Sequence, residues 1–131
     1  MFKKIISILT LFIFLSSCTS KTETSPANIS GLWADVNSGN FKNCYVIIAQ
    51  DGNKIIMNHY LEFKGIKMVE YGIGEIKDTA VTYDVVVTKA IPGWATKGKH
   101  ILTLNKQRDT LRGIYEDELG KNGPIVFAKL K

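Results

Sequence analysis

From Ile29 onward the apolar residues of this chain fall at alternate positions, in runs of six to twelve residues separated by turn-forming residues. A period of two belongs to β-strands, and no window in this region sustains the three-to-four spacing of a helix face. The runs predict eight strands: 30–36, 43–50, 54–63, 66–76, 79–90, 100–105, 110–116 and 125–130. Asp51-Gly52-Asn53 between the second and third is a strong hairpin signal, and Lys64-Gly65 turns the third into the fourth. Ile55, Met57, His59, Leu61 and Phe63 share one face of the third run, as do Val81, Tyr83, Val85 and Val87 on the fifth. Gly72 and Gly74 interrupt the fourth and predict a bulge or sharp bend.

Eight consecutive short strands with short connections favour an all-β fold, an antiparallel up-and-down eight-stranded barrel, with a two-sheet β-sandwich as the competing architecture. Closing such a meander removes its exposed edges. A barrel of this size is either filled by side chains or holds one small ligand.

The first 28 residues follow another pattern. Met1-Phe2-Lys3-Lys4 is a short basic start, and Ile5–Leu15 is apolar apart from Ser7 and Thr10. That run is too short to span a bilayer as a helix, and the two parts together read as a secretory signal peptide. The run ends Leu15-Ser16-Ser17-Cys18, which resembles the lipobox of bacterial lipoprotein precursors. The resemblance implies that Cys18 receives a diacylglycerol, that cleavage precedes it, and that acyl chains such as palmitate tie the new N-terminus to a membrane. Two or more chains give stable attachment where one is marginal. Residues 1–17 are then a lipoprotein signal peptide, 18–28 (ending SKTETSPAN) an acylated N-terminus and flexible tether, and 29–131 the β-domain. The expected location is the bacterial cell envelope, outside the cytoplasm; Thr19, a non-Asp residue, favours outer-membrane sorting by analogy with enteric bacteria.

Processing changes the charge picture. The full chain carries +5, but cleavage leaves 114 residues at +3, with basic and acidic residues interspersed. The basic pI is therefore poor evidence for nucleic acid, which is not expected as a partner. Cys44 sits in the apolar segment Cys44-Tyr45-Val46-Ile47-Ile48 and, with Cys18 acylated, has no internal disulfide partner. It reads as a buried small hydrophobe, with a reactive thiol or intermolecular bridge as the alternative.

Ile29-Ser30-Gly31-Leu32-Trp33 resembles the G-x-W start of the lipocalin and avidin barrels, the calycin group. The resemblance implies that Trp33 closes one barrel end and that Gly31 lets the chain pass closely. These families pack an Arg near the chain end against that Trp; the last strand here offers only Lys129, and Arg112 in the seventh is the nearest arginine. Gly31, Trp33 and Arg112 are thus the expected closure residues. The stretch 29–39 is similar to an avidin first strand, but the family's ligand-binding Asn and Ser fall on Asp35 and Gly39, and its later Trp-rich motifs are absent. A similar barrel is implied, not biotin binding.

Chemistry-bearing constellations are sparse. His59 and His100 lie on separate strands; His59 reads as a half-buried histidine with a hydrogen-bond partner. Glu116-Asp117-Glu118 with Asn122 lacks regular calcium spacing and reads as a solvated hairpin end. Asp84 and Glu116 have no feature that pairs them, and no nucleophile motif, P-loop or dinucleotide fingerprint appears. No enzyme activity, metal or cofactor is expected. Five tyrosines, Tyr45, Tyr60, Tyr71, Tyr83 and Tyr115, fall on five strands, and those that point inward would set hydroxyls into an apolar cavity. In the loop 91–99, Trp94 either covers the barrel mouth or awaits a partner. Gly93–Gly98 also resembles a Trp-x-x-Lys-Gly element of membrane-bound lysozyme inhibitors, a family that relies on a disulfide this chain cannot make.

The expected function is that of a lipid-anchored envelope lipoprotein whose barrel binds a small or apolar ligand, with Trp94, Tyr83, Tyr115 and Met57 as candidate contacts. The competing expectation is a non-catalytic interaction module, such as an inhibitor or assembly accessory. It would meet another envelope protein through its loops, with the barrel filled.

Overall fold

The computed structural model describes residues 25–36 and 42–131. Cys18, the signal peptide and most of the expected tether lie outside the described residues.

Eight antiparallel strands, β1 (Gly31–Asp35), β2 (Lys42–Asp51), β3 (Lys54–Phe63), β4 (Ile66–Lys77), β5 (Ala80–Val87), β6 (Lys97–Leu104), β7 (Thr110–Asp117) and β8 (Asn122–Lys129), pair with sequential neighbours, and β8 pairs back onto β1. The result is a closed up-and-down barrel, not a sandwich. Closure is direct: Trp33, Ala34 and Asp35 face Lys129, Ala128 and Phe127. The two-residue period sorts side chains to the inside and outside, and β3 alternates buried and exposed along most of its length.

Two strands begin earlier than expected. Lys97-Gly98-Lys99 and Asn122-Gly123-Pro124 read as loop because they are polar or carry Gly and Pro. In the barrel, Lys97–Lys99 pair with Val86–Asp84, and Asn122–Pro124 with Glu116–Ile114. Ladder pairing to strands on both sides outweighs weak local propensity. Pro124 is tolerated near the start of its strand.

The bulge expected at Gly72 and Gly74 is not there, since β3–β4 register runs unbroken through both; the irregularity falls in β2 between Lys42 and Tyr45, where Asn43 has φ 54°. The glycines instead make room. A Cβ on Gly72 would lie 2.8 Å from the Tyr83 ring and 2.9 Å from both Met57 Cγ and the Asp84 carbonyl oxygen, and one on Gly74 would strike the Thr82 carbonyl and Tyr83. Tyr83 occupies the space that two missing side chains leave.

One barrel end is closed. Ile29, Trp33, Ile48, Ile55, Met57, Ile76, Val81, Leu102, Leu111 and Phe127 form a continuous buried core there. The chain is already docked at Ala27, whose amide donates to the Asp78 carbonyl at 3.3 Å. Trp33 is fully buried and its indole N–H donates to the Ile29 carbonyl at 3.0 Å. Gly31 has φ 134°, and a Cβ there would lie 3.4 Å from Lys129 Cε, an ordinary contact with a flexible side chain. The cation over Trp33 is Lys129, with Nζ 5.4 Å from the ring centroid. Arg112 lies on the outside, opposite Thr103 and Val126, and does not reach Trp33. Strand parity decides this: Lys129 shares the inward face of β8 with Phe127, whereas Arg112 follows the inward Leu111 by one residue.

Candidate functional site: the open mouth and its polar floor

The other end of the barrel opens into a cavity of about 300 Å³. Its walls come from β3, β5, β7 and β8 and from the loop 88–96. Phe63, Leu61, Val85, Val87, Ile125 and Trp94 give it apolar surface, and Lys97, Glu116, Asp117 and Lys121 stand around the rim.

Trp94 folds back over the mouth. Its ring sits 4.9 Å from that of Phe63, and its indole N–H donates to Glu70 Oε1 at 2.9 Å. The loop that carries it is tied at both shoulders. Thr96 donates from its amide (2.8 Å) and hydroxyl (2.6 Å) to Glu118 Oε1, and Val87 donates its amide to the Thr96 carbonyl at 2.9 Å. Leu61 of the cavity wall packs with Cys44, Met68 and Ile91 in a small apolar cluster, against which Trp94 lies. Cys44 is the buried small hydrophobe of the first alternative, and burial pushes its thiol pKa up.

The cavity floor is polar. His59 lies between two carboxylates, with Nε2 3.3 Å from Asp35 Oδ2 and Nδ1 3.4 Å from Glu70 Oε2, all three side chains buried. Neither ring nitrogen makes an aligned hydrogen bond, so these are charge pairs held by position. Burial alone would lower the imidazole pKa; the flanking carboxylates outweigh it and hold the ring above its ordinary value, favouring the protonated form. Burial would likewise raise Glu70, but His59 and then the Trp94 indole stabilise its anion and hold it below the usual range. His59 also stands edge-on to Phe127, the top of the closed core.

His100 differs. Its Nδ1 lies 2.9 Å from the Tyr83 hydroxyl, and burial drives its pKa down to about 4, so near neutral pH it is uncharged. Two inward histidines on neighbouring parts of one floor are thus shifted in opposite directions: one has two carboxylates against it, the other a phenol.

Of the candidate contacts, the fold brings Trp94 and Tyr115 together on the cavity wall. Tyr83 and Met57 lie deeper and are not in it. Tyr83 is fully buried beneath His100, and Met57 belongs to the closed core. Alternation along a strand gives the face of a residue but not its depth along the barrel axis. Tyr45 and Tyr71 point outward and are exposed. Asp84 and Glu116 are separated by Lys99, which faces both across β6 and contacts Asp84 at 3.6 Å. Asp117 Oδ1 accepts from the Leu119 and Lys121 amides and so builds the β7–β8 turn. Among the described residues no group of three His, Cys, Asp or Glu side chains is placed to share a metal ion.

The floor residues Asp35, Glu70 and His100 were not legible as a site. One signal existed: Asp35 and Glu70 stand two residues from Trp33 and Gly72 on inward faces, and His59 and His100 occupy inward positions of apolar alternations. A charged residue on a buried face needs a partner from another strand, and that partner is named only by strand pairing.

Compared with known proteins, the chain matches no family model, no curated protein and no solved structure.

Proposed function

We propose that this chain is a lipid-anchored protein of the bacterial cell envelope whose barrel mouth holds a small, largely apolar ligand with one polar end. The observation that carries the ligand reading is the cavity of about 300 Å³ opening beside Trp94, with apolar walls above a floor of fixed charge. Ligand sites combine these two ingredients, apolar area for affinity and a few placed polar groups for orientation. A ligand's polar end meets Tyr115 on the wall and the buried pair His59–Glu70 on the floor. Trp94, half-buried and bonded to Glu70, is the aromatic cover.

The reading is binding rather than catalysis. A general base must be free to take a proton, and the two carboxylates against His59 favour its protonated form. His100 is neutral but buried against Tyr83, with no nucleophile beside it. The anchor rests on the lipobox-like Leu15–Cys18 and the signal-like segment before it. No described helix is long and apolar enough to cross a membrane.

Native mass spectrometry of the protein purified from its own host tests the ligand. A co-purifying small molecule whose retention drops in a Trp94→Ala variant is expected; a ligand-free barrel, or retention unchanged by that substitution, removes the reading. For the anchor, Cys18→Ala is expected to abolish lipid labelling and shift the protein out of the membrane fraction.

A further inference from the structure

The outside of the barrel is not uniform. Outward positions of β2, β3 and β4 line up in rows across the sheet: Ala49, Ile56 and Ile73; Ile47, Asn58 and Tyr71; Tyr45, Tyr60 and Val69. Leu32 on β1 and Val86 on β5 extend the middle row on either side. Ile47, Ile56 and Ile73 are 58%, 54% and 61% exposed, and Tyr45, Tyr71, Val69 and Leu32 are also exposed. Within β2–β4 no charged residue interrupts these rows; charges border them, Asp51, Lys54 and Glu75 at one end, Glu62 and Lys67 at the other, and Asp84 of β5 beside Ile73. The opposite face carries Asp84, Lys99 and Glu116 in one row and Thr103 and Arg112 in another, with only Ile101 and Ile114 as a comparable pair.

Scattered exposed apolar residues need no explanation, but a continuous apolar face rimmed by charge marks a contact surface. Its neighbour in the chain says what it contacts. The N-terminal segment crosses the closed end beside the β2–β3 turn: the Ile29 amide donates to Gln50 Oε1 at 2.8 Å, and Ser25 and Pro26 lie beside Gln50 and Gly52. Residues 18–25 reach at most roughly 25 Å when fully extended. If Cys18 carries acyl chains, β2 and β3 are therefore the strands tethered against the bilayer surface. Isoleucines flanked by tyrosines suit that surface, where an apolar body enters the acyl boundary and a hydroxyl stays at the headgroups.

We infer that the outer face of β2–β4 is a bilayer-docking surface, on which the anchored barrel lies on its side. This rests on the lipid anchor of the proposed function and deepens it. Phe63 and Ile66, at the β3–β4 turn where the mouth opens, are then brought to the membrane interface, so an apolar ligand could pass between acyl chains and cavity.

The test uses the acylated full chain in vesicles of phosphatidylethanolamine and phosphatidylglycerol with brominated acyl chains, which quench tryptophan on contact. Ile73→Trp places the probe within the face and Thr103→Trp on the opposite side; Trp33 and Trp94 give the same background in both. Quenching of the Ile73→Trp variant several-fold above that of Thr103→Trp is expected, and Ile56→Trp is expected to repeat it. Equal quenching at both positions, quenching at neither, or a concentration-dependent dimer cross-linked through the β2–β4 face would overturn the inference. The intact mass of the same samples reports whether Cys18 carries lipid, so a failed anchor and a failed docking face are told apart.

Discussion

The two ends of this barrel solve opposite problems with the same strands. In the closed half the inward positions are apolar or glycine apart from Gln50 and Lys129 at its edge, and Trp33 and Phe127 are buried completely. In the open half the same alternation delivers Asp35, His59, Glu70 and His100 to the interior and leaves a cavity above them. Burying a charge is costly unless it is paired, and even a paired buried charge contributes less than close-packed apolar side chains of similar volume. The polar floor is thus poor value as a source of stability. Its position, at the boundary between packed core and open mouth, suits orientation of something bound. Close packing and buried charge are divided along the barrel axis.

The sharpest break of that comparison sets one tryptophan against the other. Trp33→Ala opens a cavity in the packed half and is expected to cost about 3–5 kcal/mol. Trp94→Ala removes a half-buried ring and leaves Glu70 without its indole donor, which is expected to cost about 1–2 kcal/mol. Urea unfolding of both variants checks the ratio; equal losses would mean that the halves do not differ.

Acid offers a second test, confined to the polar floor. His100 is depressed in the folded state, so its contribution is complete above its ordinary value of 6.5 and is lost as pH falls toward about 4. At about 1.4 kcal/mol per tenfold change in proton affinity, the loss amounts to about 3 kcal/mol over that window. His59 has the opposite sign: its pKa is raised, so its contribution is complete below 6.5 and fades as pH rises through its folded value. Stability should therefore peak near pH 6.5. His100→Gln is expected to flatten the limb between pH 6.5 and 4 while sparing the alkaline one. An unchanged acid limb, read by thermal unfolding across pH, would place the titration elsewhere.

A local substitution sharpens the boundary between the halves. Gly72→Ala brings a methyl against Met57, the Tyr83 ring and the Asp84 carbonyl, and is expected to cost about 1–3 kcal/mol, since only the two side chains can yield. A neutral result in urea unfolding would show that the packing around Tyr83 is looser than the structure has it.

The strand pattern was legible because a two-residue period is written locally: each inward run of Val, Ile, Leu and Met identifies its own strand, and Asp51-Gly52-Asn53 and Lys64-Gly65 mark their own turns. The barrel followed from eight such runs with short links. Reading stopped where a residue's role depends on a partner far away in the chain. Lys129 takes the place over Trp33 because β8 closes onto β1, a pairing between strands about a hundred residues apart. Gly72 and Gly74 looked like a bulge until Tyr83 of the next strand filled their space.

By itself, then, the sequence determined the all-β architecture, the strand faces and the signal-like N-terminus, all of which depend on neighbours within a few residues. Only the tertiary structure decided depth: Trp94 and Tyr115 line the mouth while Tyr83 and Met57 sink into the core, and Asp35, His59 and Glu70 become one cluster. Position along a barrel axis is set by register between strands. Register arises from all eight closing together, and no single strand carries it.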